Sequence, residues 1–296
     1  MTARVGFVGL GAMGSPMAAN LVARGFAVTG FDVRPEAVEA LVAAGGAGAA
    51  RAAEAAAGAD ILVLMVVNDR QAEEALFEAG ALEAMAEDGI VVLMATCAPD
   101  AAANLAARVT ATGRRFLDAP VSGGAAGAET ATLTIMAAGP DETFKTAKPL
   151  LDALGDKVFH VGEEPGQGAT VKAVNQLLCG VHIVVAAEGL ALAERIGVDP
   201  EVVLKILGGS AASSWMLNNR GPRMLMDDPP VMSAVDIFVK DLGIVLEAGR
   251  GAGMDLPHAE LAHGVYEALS REGKGRLDDS QVIRRYREAD AGRSSR

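Results

Sequence analysis

Four segments of the 296-residue chain carry residue types and spacings able to do chemistry. The first is RVGFVGLGAMGSPMAANL, residues 4–21, where Gly9, Gly11 and Gly14 form G-x-G-x-x-G directly after the apolar run 5–10. In a strand–turn–helix setting the first glycine permits a tight turn and the second lets backbone approach a pyrophosphate. The third lets helix pack on strand. Ala12 and Met13 complete the turn, and the following helix would aim its free N–H groups and positive dipole end at the phosphate. A second apolar run, 27–31, ends at Asp32, where an acid accepts hydrogen bonds from ribose hydroxyls and repels a 2′-phosphate. These features predict NAD as cofactor, in preference to NADP. Arg34 is the counterweight, because an arginine there can hold the extra phosphate, and Asp32 alone could be a turn residue before Pro35.

In GQGATVKAVNQ (166–176), Lys172, Asn175 and Gln176 stand at i, i+3 and i+4, on one face of a helix. A lysine at the start of an apolar helix either snorkels to solvent or is kept for chemistry, and spacing leaves both open. Hydride removal from an alcohol carbon leaves a hydroxyl proton for a base to collect, which a partly desolvated lysine can do. DAPVSGG (118–124) brings Ser122, Gly123 and Gly124 after a strand. It is either a bare turn or a loop presenting a hydroxyl and N–H groups to a carboxylate. No G-x-S-x-G elbow occurs, so Ser122 is not read as a hydrolytic nucleophile. In VDIFVKDLG (235–243), Val235, Phe238, Val239 and Leu242 form a core stripe opposite Asp236 and Lys240. Taken alone, Lys240 reads as a solvated helix lysine.

The first half of the chain supplies strands to carry these residues. Apolar runs at 5–10, 27–31, 61–67, 90–94, 116–118, 133–138 and 158–161 alternate with helical stretches such as 13–24, 35–44 and 100–112. Such alternation predicts an α/β Rossmann-type doubly wound parallel sheet with its ligand at the carboxyl ends of the strands. Asp32, 65–68 (with Val66 and Val67), Thr96 and 118–124 all follow strands and are expected to converge on one crevice. After residue 162 strand signals stop. Helices are expected at 169–196, 200–207, 235–250 and 257–271, and the polar end 288–296 is read as frayed. The boundary falls in 163–168, giving an NAD-binding domain (1–165) and an all-α C-terminal domain (166–296) joined by a long helix.

Composition narrows the partners. A net charge of −12 argues against a nucleic-acid surface, whose affinity comes mainly from Lys and Arg. Two distant cysteines, Cys97 and Cys179, read as reduced thiols in a cytoplasmic protein. The N-terminus shows no secretory leader, and the uncharged run 173–187 is shorter than a membrane span and is read as a buried helix. His258 and His263 are five apart, without a zinc-helix spacing, so no metal is expected.

GLGAMGSPMAANL, DAPVSGG, the G-x-G-x-x-x-K helix and KDLG together resemble the β-hydroxyacid dehydrogenase family, in order from about residue 4 to 286. That family includes 3-hydroxyisobutyrate dehydrogenases and tartronate semialdehyde reductases. The resemblance implies Lys172 as acid/base and Ser122, Gly123 and Gly124 as contacts for a substrate carboxylate. It implies Thr96, in ATCAP, beside the nicotinamide and Lys240 reaching over the cofactor, which overturns the solvated reading. Asn175 and Gln176 are taken as further substrate contacts. The family usually places Asn four residues after the lysine, where this chain has Gln176, and many members have Leu-Pro within the segment that here reads MVVN (65–68). Both departures resemble the L-threonate dehydrogenase branch, as do SWMLNNR (214–220) and GRLDDSQVI (275–283). That branch often has His at the place of Asn175. Trp215 and Asn219 are candidates for a specificity wall or for ordinary helix packing. The expectation is NAD-dependent oxidation of a short hydroxy acid, L-threonate to 2-dehydro-L-erythronate, by a homodimer or homotetramer. The alternatives are 3-hydroxyisobutyrate oxidation, tartronate semialdehyde reduction, or a non-catalytic NAD-sensing protein.

Overall fold

The computed structural model describes residues 3–288, and the chain divides after Lys172 into two compact units. In the first, nine strands form one sheet: β1 (Arg4–Val8), β2 (Ala27–Phe31), β3 (Ala47–Gly48), β4 (Ile61–Leu64), β5 (Ile90–Leu93), β6 (Arg115–Asp118), β7 (Val121–Ser122), β8 (Thr134–Ala138) and β9 (Lys157–Gly162). Their order is β3-β2-β1-β4-β5-β6-β8-β7, with β9 also paired to β8. From β3 to β6 every pairing is parallel. All four residues of β4 and of β5 are buried. Ile61, Val63, Ile90 and Val92 enter one core, while Leu62, Leu64, Val91 and Leu93 enter the other. A sheet covered on both faces needs continuous apolar strands, which is why these segments read as runs and not as alternations.

The structure departs from the sequence expectation in three places. Strands β3 and β7 are two residues each, too short for a periodicity to register. β8 pairs antiparallel with both β6 and β7, because only the short helix Gly124–Glu129 and its turns separate β7 from β8. The run at 61–67 leaves the sheet after Leu64, and Asn68 then caps the helix Asp69–Glu73 by accepting from the Gln71 N–H at 2.9 Å.

Helix Gln167–Arg195 runs for 29 residues and contributes Ile183, Val184, Ala187 and Leu190 to the core of the second unit. By length and composition alone it could cross a membrane, whereas the uncharged run at 173–187 had suggested a shorter apolar segment; a long core helix passes the same test. Helices Pro200–Gly208, Trp215–Met224, Val235–Gly251 and Pro257–Leu269 follow, and the described residues of this unit form no named strand. Phe238 stacks on Tyr266 with ring centroids 5.2 Å apart, and the buried Tyr266 hydroxyl donates to the Gly180 carbonyl at 3.2 Å. The polar end from residue 289 lies outside the described residues.

The GRLDDSQVI segment closes this unit through buried ion pairs. Arg220 donates in bidentate fashion to Asp279, at 3.1 and 2.9 Å, and Arg223 Nε donates to Asp278 at 3.0 Å. Asp279 is fully buried, and burial pushes its carboxyl up although Arg220 pulls it down. Removing one partner of such a pair leaves a charge with neither water nor counterion. Asp279→Ala is therefore expected to lower unfolding stability by about 3–5 kcal/mol in a urea titration. A loss below about 1 kcal/mol would show the pair to be incidental.

Candidate active site

Strands β2, β1, β4, β5 and β6 are parallel neighbours, so the segments after Val8, Phe31, Leu64, Leu93 and Asp118 leave the same edge of the sheet. The glycine turn is built by close backbone approach. Gly9 has φ +94°, its N–H donates to the Phe31 carbonyl at 2.9 Å, and a Cβ on it would lie 2.4 Å from the Met65 carbonyl oxygen. A Cβ on Gly14 would lie 1.9 Å from the Gly9 carbonyl oxygen, so only glycine lets the helix begin here. Gly11 differs, since a Cβ there would meet nothing within 4 Å. The space beside it is open among the described residues, so a ligand's pyrophosphate could approach the backbone there.

Helix Gly14–Ala23, with Met13 as its N-cap residue and Ala12 before it, has no side-chain cap and no acid in its first turn. The Ser15 N–H donates to the Gly11 carbonyl at 3.0 Å, and the positive end of the helix faces the turn with no side chain of its own over it. Asp32 accepts from the Leu10 N–H at 2.7 Å and from the Arg34 N–H at 2.9 Å. The Arg34 guanidinium folds back to donate to Asp32 at 3.1 Å and to the Leu10 carbonyl at 2.9 Å. Burial pushes the Asp32 carboxyl up, but hydrogen bonds from Arg34 and Leu10 outweigh it and leave the group below its usual range. The turn and the acid are thereby one unit, and Arg34 is held by both.

Among the other candidates, Val66 follows the Met65 carbonyl that abuts Gly9, and the Val67 N–H donates to Gln71 Oε1 at 3.0 Å. Thr96 is half-buried just after β5, ahead of helix Pro99–Thr110. Ser122 pairs with Thr134 across β7 and β8, followed by Gly123 at φ +132° and Gly124 at φ +63°. Lys172 is buried on the second turn of its helix, only 6% exposed.

In the second unit, Asn175, Gln176 and Lys240 join in one chain. Asn175 Nδ2 donates to Gln176 Oε1 at 2.9 Å, Gln176 Nε2 donates to Asp241 Oδ2, and Lys240 pairs with Asp241 Oδ1 at 2.6 Å. Asp241 had not been singled out from the sequence. Its signal was register, because it lies three residues after Phe238 and four before Val245 on the buried stripe of helix Val235–Gly251. Asn219 accepts from Arg220 at 2.7 Å and from Arg223 at 3.3 Å, which ties it to the ion-pair cluster; Trp215 is exposed, with the Arg220 guanidinium 5.7 Å from its ring centroid.

A second residue not singled out is Asp118, the acid ending the buried strand β6. Its Oδ2 accepts from the N–H groups of Gly166 and Ala169 at 3.0 and 2.8 Å.

Comparison with known proteins agrees with this geometry. Residues 4–162 match the family described as the NAD binding domain of 6-phosphogluconate dehydrogenase. Residues 166–286 match the family described as NAD-binding of NADP-dependent 3-hydroxyisobutyrate dehydrogenase. The chain belongs to the β-hydroxyacid dehydrogenase family. As a member it is an NAD-dependent hydroxyacid dehydrogenase, an oxidoreductase acting on a small hydroxy acid. It is 44% identical to an L-threonate dehydrogenase of Cupriavidus necator, over 96% of both chains. It is 41% identical to an L-threonate dehydrogenase of Pectobacterium atrosepticum, over 95% of this chain and 93% of that one. Its fold is similar to a crystal structure named 3-hydroxyisobutyrate dehydrogenase from Salmonella typhimurium, with a TM-score of 0.91 and 40% identity, over 95% and 99% of the two chains.

The dehydrogenase carries a buried acid whose protonation is linked to its stability. Burial pushes the Asp118 carboxyl up to about 6 from 3.8, against the pull of the N–H groups of Ala169, Gly166 and Gly168. A pKa raised on folding contributes stability that is full below the unfolded value and lost as pH rises through the folded one. Urea unfolding of wild type and Asp118→Asn between pH 4 and 7 is expected to show the wild type losing about 2 kcal/mol relative to the variant across that window. Parallel curves would mean that Asp118 titrates normally.

Proposed function

We propose that the chain oxidises L-threonate to 2-dehydro-L-erythronate, with NAD as acceptor and Lys172 as the base. The observation that carries the chemistry is the burial of Lys172 in a chain of this family. Support for the substrate comes from the two relatives named for L-threonate, and from the segments 214–220 and 275–283. The Salmonella relative's name favours 3-hydroxyisobutyrate as the second reading.

In this reading the turn at Gly9, Gly11, Ala12, Met13 and Gly14 holds the pyrophosphate, and Asp32 holds the adenosine ribose. Val66, Val67, Thr96 and Lys240 complete the cofactor's surroundings. When bound, NAD supplies the hydride acceptor. Lys172 takes the proton from the substrate hydroxyl as the C–H bond is broken. Ser122, Gly123 and Gly124 receive the carboxylate, while Asn175 and Gln176 orient the hydroxyl-bearing carbons. Holding the acid in one pose against the lysine removes orientational freedom from the barrier. The preference for NAD rests on Asp32, whose carboxylate repels a 2′-phosphate even with Arg34 paired to it.

A homo-oligomer accords with the long helix, where Val174, Leu178, Val185 and Leu192 are each about half exposed at spacings that share one face.

The deciding assay follows NADH formation with L-threonate, D-erythronate, D-glycerate, L-serine and 3-hydroxyisobutyrate side by side. Preference for L-threonate is expected, and preference for 3-hydroxyisobutyrate would overturn the four-carbon assignment. Lys172→Ala should lower kcat by about 10²–10⁴-fold while NAD affinity is retained; turnover near wild type would remove Lys172 from the mechanism. Asp32→Ala should erode the preference for NAD over NADP by about tenfold or more in kcat/KM, since the repulsion of the 2′-phosphate disappears. An unchanged ratio would place the discrimination elsewhere.

A further inference from the structure

Helix Gln167–Arg195 begins at a residue that cannot cap it. The N–H groups of a first turn have no partners within the helix, and a Ser, Thr, Asp or Asn at the N-cap normally accepts from the second or third helical N–H. Here that place is Gly166, held at φ +100°, where a Cβ would lie 2.9 Å from the Pro99 carbonyl oxygen. The acceptor comes instead from 48 residues upstream, where Asp118 Oδ2 meets the Gly166 N–H at 3.0 Å and the Ala169 N–H at 2.8 Å. Gly168 allows this approach, since a Cβ on it would lie 2.4 Å from the Met136 carbonyl oxygen of β8. Strand β8 also pairs Thr134 with Ser122. Lys172 follows Ala169 by three residues on the same helix.

We propose that Asp118 is a positioning residue for Lys172. Its carboxylate replaces the cap that Gly166 cannot supply and fixes the first turn of the lysine helix on β8, the strand that also registers the Ser122 loop. The inference rests on the reading of Lys172 as the base. A carboxylate with 1% exposure and no counterion among its described contacts is a costly cap. Its position is accounted for by what it holds: the main chain of the turn that leads to the lysine.

The test compares Asp118→Ala, Asp118→Asn, Gly168→Ala and Lys172→Ala, using the acid turned over fastest in the substrate panel. Asparagine keeps an oxygen acceptor for the same N–H groups. Gly168→Ala shifts the same turn with Asp118 retained, since its Cβ would lie 2.4 Å from the Met136 carbonyl oxygen and 3.0 Å from Asp118 Oδ2. Asp118→Ala and Gly168→Ala are expected to lower kcat at least tenfold with NAD dissociation constants within twofold of wild type. Their solvent deuterium isotope effects on kcat should rise, because a misplaced base makes proton transfer limiting. Asp118→Asn should recover kcat to within about threefold of wild type, as the acceptor is retained. Wild-type kcat and isotope effect in Asp118→Ala and Gly168→Ala, with Lys172→Ala inactive, would overturn the proposal and leave the lysine reading intact. Parallel loss of kcat and NAD affinity without recovery by asparagine would reduce Asp118 to a structural residue. Full turnover by Lys172→Ala would remove the base reading itself.

Discussion

Backbone-to-backbone contact at two helix starts is the constraint on which the candidate residues depend. Helix Gly14–Ala23 begins where Gly14 sits against the Gly9 carbonyl, and helix Gln167–Arg195 begins where Gly168 sits against the Met136 carbonyl. In both places a single methyl group would force the helix off the sheet. A helix start carries N–H groups that need an acceptor, so close contact with the sheet also decides where those donors point. At the first start no side chain caps the turn, which leaves it suited to an anion. At the second, Asp118 answers the donors from within the chain. The same local device thus yields a ligand site in one case and a fixed support in the other.

Among the described residues, four buried carboxylates hold backbone or another polar group. Asp118 holds a helix start, Asp241 joins Gln176 to Lys240, and Asp278 and Asp279 bind the arginines of helix Trp215–Met224. Apolar side chains of similar volume can replace a whole buried ion pair at little or no loss of stability, though not one partner alone. What an apolar replacement lacks is direction. An acceptor-only carboxylate specifies which donor must face it, and so fixes the orientation of the group that carries the donor.

The sheet was legible in the sequence because both its faces are covered. Strands β4 and β5 read as unbroken apolar runs, and the glycine turn after β1 has one geometric meaning between a strand and a helix. Strands β3 and β7 were not legible, since two residues cannot show a period of two. The antiparallel pairing of β8 escaped for another reason: periodicity carries no information about strand direction. Of the polar candidates, Lys172, Asn175 and Gln176 stood out at regular helical spacing, whereas Lys240 was marked only by the family resemblance of KDLG. Asp118 and Asp241 did not, because each acts across 48 or more residues on a partner that local spacing cannot reveal. Their mark in the sequence was an acid on a buried strand or stripe, which marks a constraint without naming its partner.

The network around Gln176 shows how such a constraint propagates. Asp241 can only accept, so the amide nitrogen of Gln176 must face it. The Gln176 oxygen then faces Asn175, whose own amide nitrogen must donate to it at 2.9 Å. One carboxylate on helix Val235–Gly251 therefore settles two amide orientations on another helix that spacing alone would leave free to flip. The longer glutamine, standing where the family usually has asparagine, has both ends of its amide engaged in this chain. Asn175, whose amide nitrogen also donates to Cys179 Sγ at 3.4 Å, is thus tied into a series whose direction Asp241 sets.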